Sequence, residues 1–508
     1  MKAVNHYQNG FTIRASQVLT ALGMLIILAS LGGVQLTVSQ AAPSNAVTAA
    51  DSESPAAEIT FLPFMQKPAI PNPFGVESHL PFDPDSQVTS YTSGVQANYV
   101  RMNDRISWRA LQPEENDPIN WGLLAGFESE LRTLQAANIT PVVIVDDYPR
   151  WATDNTVRYD GLPTSCGPLL PERYDDFARF MQALVTRYST PEFNVHVWEM
   201  GNEPDVDPNT VAIDSAFGCW GDMDDPFYNG EAYGQMLMAV TPGIRALDPL
   251  AQVWIGGLLL AAPYTDDGHI GQPEDFFRGI LEAGAAPYFD VVAYHAYMHY
   301  SSDCIDMDIN DTTWDGWGGI IRGKASYLRS IMAEYELDKP LFITETSQLC
   351  GWCDDQPGWT DIYLPGFYDM QANMPARSFP RAMAANLSGM IWYPLEERFW
   401  QYGSLLDQWM LPKPVYNAYQ AFNQMVANAT FIGFVGYDWG IEAYTFHKGA
   451  FRIDIIFAVE DATYTIKVPT TNYIAAYDRF GSLINPTQAG SDTSLTIQYE
   501  PIYLVRTR

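Results

Sequence analysis

Residues 195–205 read VHVWEMGNEPD, the pattern of a buried parallel strand that ends in a polar turn. Six mostly apolar residues are followed by Gly201, which favours a tight turn, and then by Asn202 and Glu203. In a barrel of parallel strands, the residues that follow each strand lie together on one face, where active sites are built. This stretch therefore places Glu203 at the rim of such a barrel, provided that the chain supplies the other strands.

Eight apolar runs of this kind alternate with stretches of helical period between residues 72 and 426. The predicted strands are residues 74–77, 99–102, 142–145, 195–200, 253–258, 291–294, 341–344 and 389–393. A doubly wound open sheet would have fewer units and a glycine-rich phosphate turn, which is missing. The pattern predicts an α/β fold, a (β/α)8 TIM barrel with enlarged loops.

After residue 427 the helical period stops, and short runs of alternating polarity continue to the C-terminus. They predict a small β-sandwich domain over residues 427–508. This domain has no obvious set of acid, base and nucleophile. Its expected role is to buttress the barrel, with carbohydrate binding as the alternative.

The composition excludes several classes of partner. Lys and Arg number 28 against 60 Asp and Glu, which gives a formal net charge of −32. Such an acidic chain does not suit nucleic acid or an anionic membrane surface. Aromatic residues make up 13% of the chain and include 14 Trp, which excludes low complexity for most of it.

The N-terminus has the pattern of an export segment. Lys2 and Arg14 precede an uncharged apolar stretch at residues 18–38, followed by small residues near position 41. Residues 1–41 are thus expected to be a signal peptide or a membrane anchor, and residues 42–71 a linker and lead-in to the barrel. The protein is expected to be extracellular or on the cell surface, with contact to a membrane only through such an anchor.

Five cysteines follow the export segment, an odd number that leaves one unpaired within a monomer. Disulfides persist in an oxidising compartment, and the hypothesis is that Cys166 pairs with Cys219 and that Cys304 pairs with Cys350 or Cys353. The alternative is a metal or redox role for the CxxC at residues 350–353, which lacks a second CxxC.

Two strand ends carry glutamates: Glu203 after the fourth run and Glu345 after the seventh. Paired carboxylates suit cleavage of a glycosidic bond, because one can protonate the departing oxygen while the other meets the developing positive charge. This chemistry requires no cofactor and no metal. The acidic loop at residues 303–311 lacks the glycine and closing glutamate of a calcium loop.

The motifs around these glutamates resemble those of clan A glycoside hydrolases. They are Asn202-Glu203-Pro204, Ile343-Thr344-Glu345, residues 101–121 at the second strand and its loop, residues 289–297 at the sixth, and residues 405–416 after the eighth. The resemblance covers the whole barrel. The combination of WEMGNEP, VVAYHAY and FITET is most similar to family 39, which includes β-xylosidases, with family 5 close behind.

The resemblance implies roles for individual residues. Glu203 would be the general acid/base and Glu345 the nucleophile of a retaining double displacement, with carboxyls roughly 5 to 5.5 Å apart. Asn202 would hold the 2-hydroxyl of the sugar. A carbohydrate is the expected substrate, a β-linked polysaccharide or an oligosaccharide from it.

Further residues are expected to line or orient the site. His295 and Tyr297 would orient Glu345, and Arg101 would keep it ionised, although Arg101 and His295 could instead be structural. Trp392 would form the floor on which the sugar stacks, and Trp151 is either an outer sugar platform or loop packing.

Two other classes of function compete with this interpretation. One is a surface protein that binds carbohydrate on a glycosidase barrel without hydrolysing it. The other is a serine or metal hydrolase, for which the chain has no Gly-x-Ser-x-Gly or HExxH motif.

Overall fold

The structure is a computed structural model that describes residues 73–153, 167–206, 218, 220–263, 272–301, 305–353, 359–398 and 400–508. Its helices are α1 Gln87–Gly94, α2 Trp108–Leu111, α3 Ala125–Ala137, α4 Tyr174–Tyr188, α5 Gly230–Leu247, α6 Phe276–Glu282, α7 Ile320–Glu334, α8 Trp359–Gln371, α9 Met374–Ala384 and α10 Pro414–Val426. The predicted N-terminal segments (residues 1–41 and 42–71) lie outside the described residues. In the part of the chain that is described, no helix is long and apolar enough to span a bilayer.

The first eight strands close into a parallel barrel in the order of the sequence, with β8 paired to β1. They are β1 Phe74–Glu77, β2 Tyr99–Ser107, β3 Thr140–Asp146, β4 Val197–Met200, β5 Gln252–Leu258, β6 Val291–His299, β7 Leu341–Leu349 and β8 Met390–Trp392. Helices lie between successive strands, so the prediction of a (β/α)8 TIM barrel is confirmed.

The barrel interior has an apolar layer beneath a charged layer. The apolar layer is a separate cluster of buried side chains from six strands: Val142, Val197, Trp254, Val291, Ala293, Phe342 and Ile391. Because side chains alternate along a strand, the next inward position lies two residues further on. On β4 that residue is Glu199, and on β6 it is His295. The polar residues therefore collect above the apolar layer, at the C-terminal end of the barrel.

The C-terminal region forms two antiparallel sheets, as predicted for a β-sandwich. Their strands are β9 Thr430–Phe434, β10 Ile441–Lys448, β11 Phe451–Ala458, β12 Tyr464–Pro469, β13 Tyr473–Tyr477, β14 Leu483–Ile484, β15 Thr487–Ala489, β16 Asp492–Ile497 and β17 Ile502–Thr507. One sheet has the order β14-β13-β17-β11-β10-β9 and the other β12-β16-β15.

Two arginines of α9 connect the barrel to this region. Arg377 donates to the backbone oxygens of Ala458 and Tyr499 at 3.0 and 2.7 Å, and Arg381 donates to both oxygens of Glu442 on β10. Both arginines also pair with carboxylates of the acidic loop after β6: Asp306 with Arg377 and Arg381, and Asp308 with Arg381. These positive charges lower the pKa of Asp306.

The disulfide prediction needs a correction. Cys350 is bonded to Cys353, so neither is available to Cys304. A CxxC disulfide closes a short loop, here with the two Cα atoms 5.5 Å apart, within the usual range for such bonds. Cys166, Cys219 and Cys304 lie outside the described residues.

Candidate active site

A tight turn at the end of β4 presents Glu203 to the barrel mouth. Gly201 has φ = 82° and Glu203 has φ = 45°, both in the left-handed region that non-glycine residues seldom adopt. The backbone N–H of Glu203 donates to the Gly257 oxygen at 3.0 Å, which ties the turn to β5. Because a left-handed glutamate costs of order 1 kcal/mol or more, the surrounding contacts must hold it in place.

The glycine at position 257 allows this arrangement. A Cβ atom added there would lie 2.2 Å from Nε2 of His295 and 2.6 Å from Oγ1 of Thr344. Its backbone N–H donates to Glu199 at 2.8 Å, and its oxygen accepts from Glu203. Only a residue without a side chain lets β5 approach both polar groups this closely.

Glu203 lies in an environment suited to a proton donor. Burial raises its pKa to about 7, although the positive charges of Arg101 and Lys324 oppose the shift. One oxygen lies 2.7 Å from Nδ1 of His295, whose own pKa is lowered to about 4 by burial. A neutral imidazole has one donor and one acceptor, so it can meet Glu203 in either protonation state.

Glu345 lies in the opposite kind of environment. Arg101 donates from Nη1 to Oε1, and the Tyr297 hydroxyl donates to Oε2. Burial and the negative charge of Glu345 raise the pKa of Tyr297 well above its usual value, so the phenol keeps the proton that it donates. A charged and a phenolic donor of this kind hold a carboxylate in a fixed orientation.

The two glutamates face each other closely. An oxygen of Glu203, a ring nitrogen of His295 and an oxygen of Glu345 all lie within 4.8 Å of one another. His295 lies between the two glutamates, and its ring hydrogen-bonds only Glu203 among the described residues, since its Nε2 is 3.5 Å from Glu345 and has no hydrogen-bond partner. It therefore contacts Glu203 more closely than the expected partner Glu345. In glycosidases that retain configuration the carboxyls lie about 5 to 5.5 Å apart, whereas inverting enzymes need about 6.5 to 9.5 Å.

Arg101 is the centre of the charged layer and is fully buried. Beyond Glu345, it donates to Glu77 on β1 at 2.8 Å and to Glu199 on β4 at 2.7 and 3.1 Å. It also donates to Oδ1 of Asn202 at 2.6 Å. Since this oxygen accepts from Arg101, the amide nitrogen of Asn202 is left as the donor for a ligand.

Sequence reasoning missed Glu77 and Glu199. Each is a carboxylate in a mostly apolar run, and each faces inward with Arg101. A carboxylate inside a buried strand needs a paired cation, and that requirement is the signal that could have identified them.

The structure corrects the expectation for Trp392. This residue is fully buried, and its indole N–H donates to the Gly403 oxygen at 3.0 Å. Its neighbour Ile391 belongs to the apolar layer inside the barrel, so alternation turns Trp392 outward against Tyr419 of α10. Trp392 therefore presents no ring face to a sugar.

Two other aromatic residues flank the site instead. The rings of Tyr393 and Trp400 lie 6.4 and 6.3 Å from the ring of Tyr297, which bonds Glu345. Trp400 is 41% exposed, so part of its indole is available to a ligand. Trp151, by contrast, packs against Trp108 and beneath the guanidinium of Arg173, which favours the loop-packing alternative.

A group of Glu203, His295 and Glu345 is also the one set of three metal-ligating side chains found close together in the described part of the chain. A cation there would compete with Arg101 for Glu345 and with the proton of Glu203. The donor set therefore fits proton transfer and nucleophilic attack better than a resident metal.

In fold, the chain is similar to the barrels of family 39 and family 30 glycoside hydrolases. By structure, it resembles a family 39 glycoside hydrolase from Bacteroides cellulosilyticus WH2, with a TM-score of 0.62, 19% identity and coverage of 86% of this chain and 81% of that one. A family 30 endoxylanase from Clostridium papyrosolvens C71 gives a TM-score of 0.57 and 11% identity, over 87% and 98% of the two chains.

A third solved structure, a family 39 β-xylosidase from Caulobacter crescentus, gives a TM-score of 0.55 and 15% identity, over 87% and 97% of the chains. At these identities the likeness establishes the shared fold. No protein-family model and no curated protein sequence matches the chain.

Proposed function

We propose that the protein is a retaining glycoside hydrolase that cleaves a β-linked oligosaccharide or polysaccharide. The observation that carries the proposal is that Glu203 and Glu345, whose carboxyl oxygens lie within 4.8 Å of each other, have different local environments. Burial raises the pKa of Glu203 to about 7, whereas Glu345 accepts hydrogen bonds from a guanidinium and a phenol. One group is thus an acid and the other a carboxylate nucleophile.

In the first step, a carboxylate oxygen of Glu345 attacks the anomeric carbon while Glu203 gives its proton to the leaving oxygen. The glycosidic C–O bond breaks, and a glycosyl ester forms on Glu345. In the second step, Glu203, now ionised, takes a proton from water, whose oxygen attacks the anomeric carbon and releases Glu345. Two inversions give net retention of configuration.

The surrounding residues support each step. Arg101 and Tyr297 stabilise Glu345 as a leaving group in the second step, because both donate to the carboxylate that re-forms. Asn202 can donate its amide to a sugar hydroxyl, and Trp400 offers an exposed indole beside the site. The sugars named for the similar structures make a β-xyloside the first substrate to test.

The test is a panel of aryl β-glycosides and soluble β-glycans, with Glu345→Gln as the matched control. We expect at least one substrate to be hydrolysed, and the control to lose about 10³-fold or more of kcat. If no glycoside is cleaved, or if Glu345→Gln is as active as the wild type, the proposal is wrong. The first result would favour the non-catalytic carbohydrate-binding alternative.

We also propose that the protein is exported. Support comes from the basic residues and the uncharged apolar stretch at residues 18–38. Fractionation of the producing cells, with sequencing of the mature N-terminus, tests this; full-length protein confined to the cytoplasm would contradict it.

A further inference from the structure

One buried arginine inside the barrel faces three buried carboxylates. Arg101 is fully buried, and it donates to Glu77, Glu199 and Glu345 from three different strands. If all three carboxyls were ionised, this cluster would have two net negative charges buried away from water. Buried charges without a counterion are strongly disfavoured, and the usual response is that one carboxyl takes up a proton.

Counting hydrogen-bond donors identifies which carboxyl that is. Glu199 receives two N–H groups from Arg101 and the backbone N–H of Gly257 at 2.8 Å. Glu345 receives a donor on each oxygen. Glu77 receives one donor, on Oε2 at 2.8 Å, and its buried Oε1 has no hydrogen-bond partner.

We propose that Glu77 holds a proton on Oε1 in the resting enzyme and is a positioning residue that leaves the charge of Arg101 to Glu345. The proposal rests on the function proposed above for Glu345. A neutral Glu77 still accepts from Arg101 through Oε2, and so it orients the guanidinium without competing for its charge. Nothing in the role requires Glu77 to touch the substrate.

The charged and titratable groups around Glu77 agree with this assignment. Burial raises its pKa to about 7, and the negative charge of Glu345 adds to the rise. Arg101 and His79 act in the opposite direction, with His79 Nε2 3.9 Å from Oε1. The carboxylate of Glu199 lies on the other side of Arg101.

The pH dependence of folding stability provides a test that does not require catalytic activity. The folded protein keeps the Glu77 proton up to about pH 7, whereas a glutamate in the unfolded chain releases it near its ordinary pKa of 4.5. The wild type therefore loses stability as pH rises between these two values, and Glu77→Gln does not suffer this loss. We expect the Tm of Glu77→Gln, relative to wild type, to rise by at least about 2 °C between pH 5 and pH 8.

A matched control is Glu396→Gln. Glu396 is also buried beside the end of β1, where it accepts from Ser78 Oγ and the His79 N–H at 2.8 and 2.9 Å. The Tm of Glu396→Gln, relative to the wild type, should not rise between pH 5 and pH 8. The same offset for Glu77→Gln at both pH values would overturn the proposal, whether or not a glycoside is ever hydrolysed.

Enzyme kinetics on any hydrolysed substrate provide a second test of the role of Glu77. The ratio of kcat/KM for Glu77→Gln to that of the wild type should be larger near pH 8 than near pH 5, because only the wild type gains a competing charge. A ratio that stays constant would mean that Glu77 acts only as a hydrogen-bond acceptor, and it would contradict the proposal.

If Glu77→Gln does not fold, the Glu203→Gln protein labelled with ¹³C at the glutamate carboxyls provides the measurement. The variant lacks the other glutamate whose pKa is raised to about 7. One carboxyl resonance should still titrate near neutral pH. Titration of every glutamate below about pH 6 would overturn the proposal.

Discussion

Arg101 on β2 donates a hydrogen bond from Nη1 to Oε1 of Glu345 on β7, across the mouth of the barrel. Both groups are buried, so the interaction is little screened by water. The guanidinium also fixes the carboxylates of Glu77 and Glu199, which makes it the common partner of three strands besides its own.

The first prediction concerns Arg101→Lys. An ammonium keeps the positive charge but cannot supply the fork of donors that four acceptors use here. We expect kcat/KM to fall about 10²- to 10³-fold, the usual effect of losing a preorganised charged donor. Arg109→Lys is the control, because Arg109 pairs with Asp147 and its side chain is 38% exposed. A loss of less than about threefold in Arg101→Lys would contradict this role.

The second prediction concerns pH. Burial raises the pKa of Glu203 to about 7, so the proton needed by the leaving group is present below that pH and lost above it. We expect kcat/KM to fall about tenfold per pH unit on the alkaline side. On an activated aryl glycoside, Glu203→Ala should lose the part of this limb that belongs to Glu203 and keep only the fall that ionisation of Glu77 causes. Added azide should restore turnover by giving a β-glycosyl azide. An alkaline limb that persists unchanged in the variant would assign the acid to another group.

The third prediction concerns the exposed indole beside Tyr297. Replacing Trp400 by Ala removes a ring face that can stack on a sugar, so we expect KM to rise about three- to tenfold with a smaller change in kcat. The matched control is Trp409→Ala in the nearby turn, whose ring is 73% exposed and has no described contact with Tyr297. Equal effects of the two substitutions on KM would argue against a sugar platform at Trp400.

The fourth prediction concerns the junction of the barrel with the C-terminal sheets. Arg381 is fully buried and pairs with Asp306, Asp308 and Glu442. Arg381→Met removes the ion pair of the buried Asp308 and one of the two arginines that pair with each of Asp306 and Glu442. It should lower the free energy of unfolding by about 3 to 5 kcal/mol. Arg278→Met breaks the exposed pair with Glu334 and should cost at most about 1 kcal/mol. Denaturant unfolding measures both, and equal losses would contradict a structural role for this network.

Much of the fold and the site follows from local sequence pattern. Each of the eight predicted barrel strands overlaps an observed one, because continuous apolar runs mark buried parallel strands. The rule that polar residues follow strand ends led to Glu203 and Glu345. The prediction that Trp392 forms the sugar floor was wrong because it depended on side-chain direction. The sequence pattern of β8 does not say whether Trp392 or Tyr393 faces the barrel mouth.

Sequence reasoning expected the long-range pairing of Arg101 with Glu345 but not the other partners of Arg101. The arrangement of Glu77, Glu199 and Glu345 around Arg101 joins four strands that are far apart in the chain. The same limit applies to the cysteines, since spacing alone did not favour the Cys350–Cys353 bond over a bond to Cys304.

The central claim is that Glu345 and Glu203 carry out a double displacement. The most direct test is ¹H NMR of the sugar first released when the wild-type protein hydrolyses an aryl β-glycoside, recorded before mutarotation. We predict that the β-anomer appears first, because two inversions restore the configuration. Release of the α-anomer first would contradict the account, since it would require a single displacement by water.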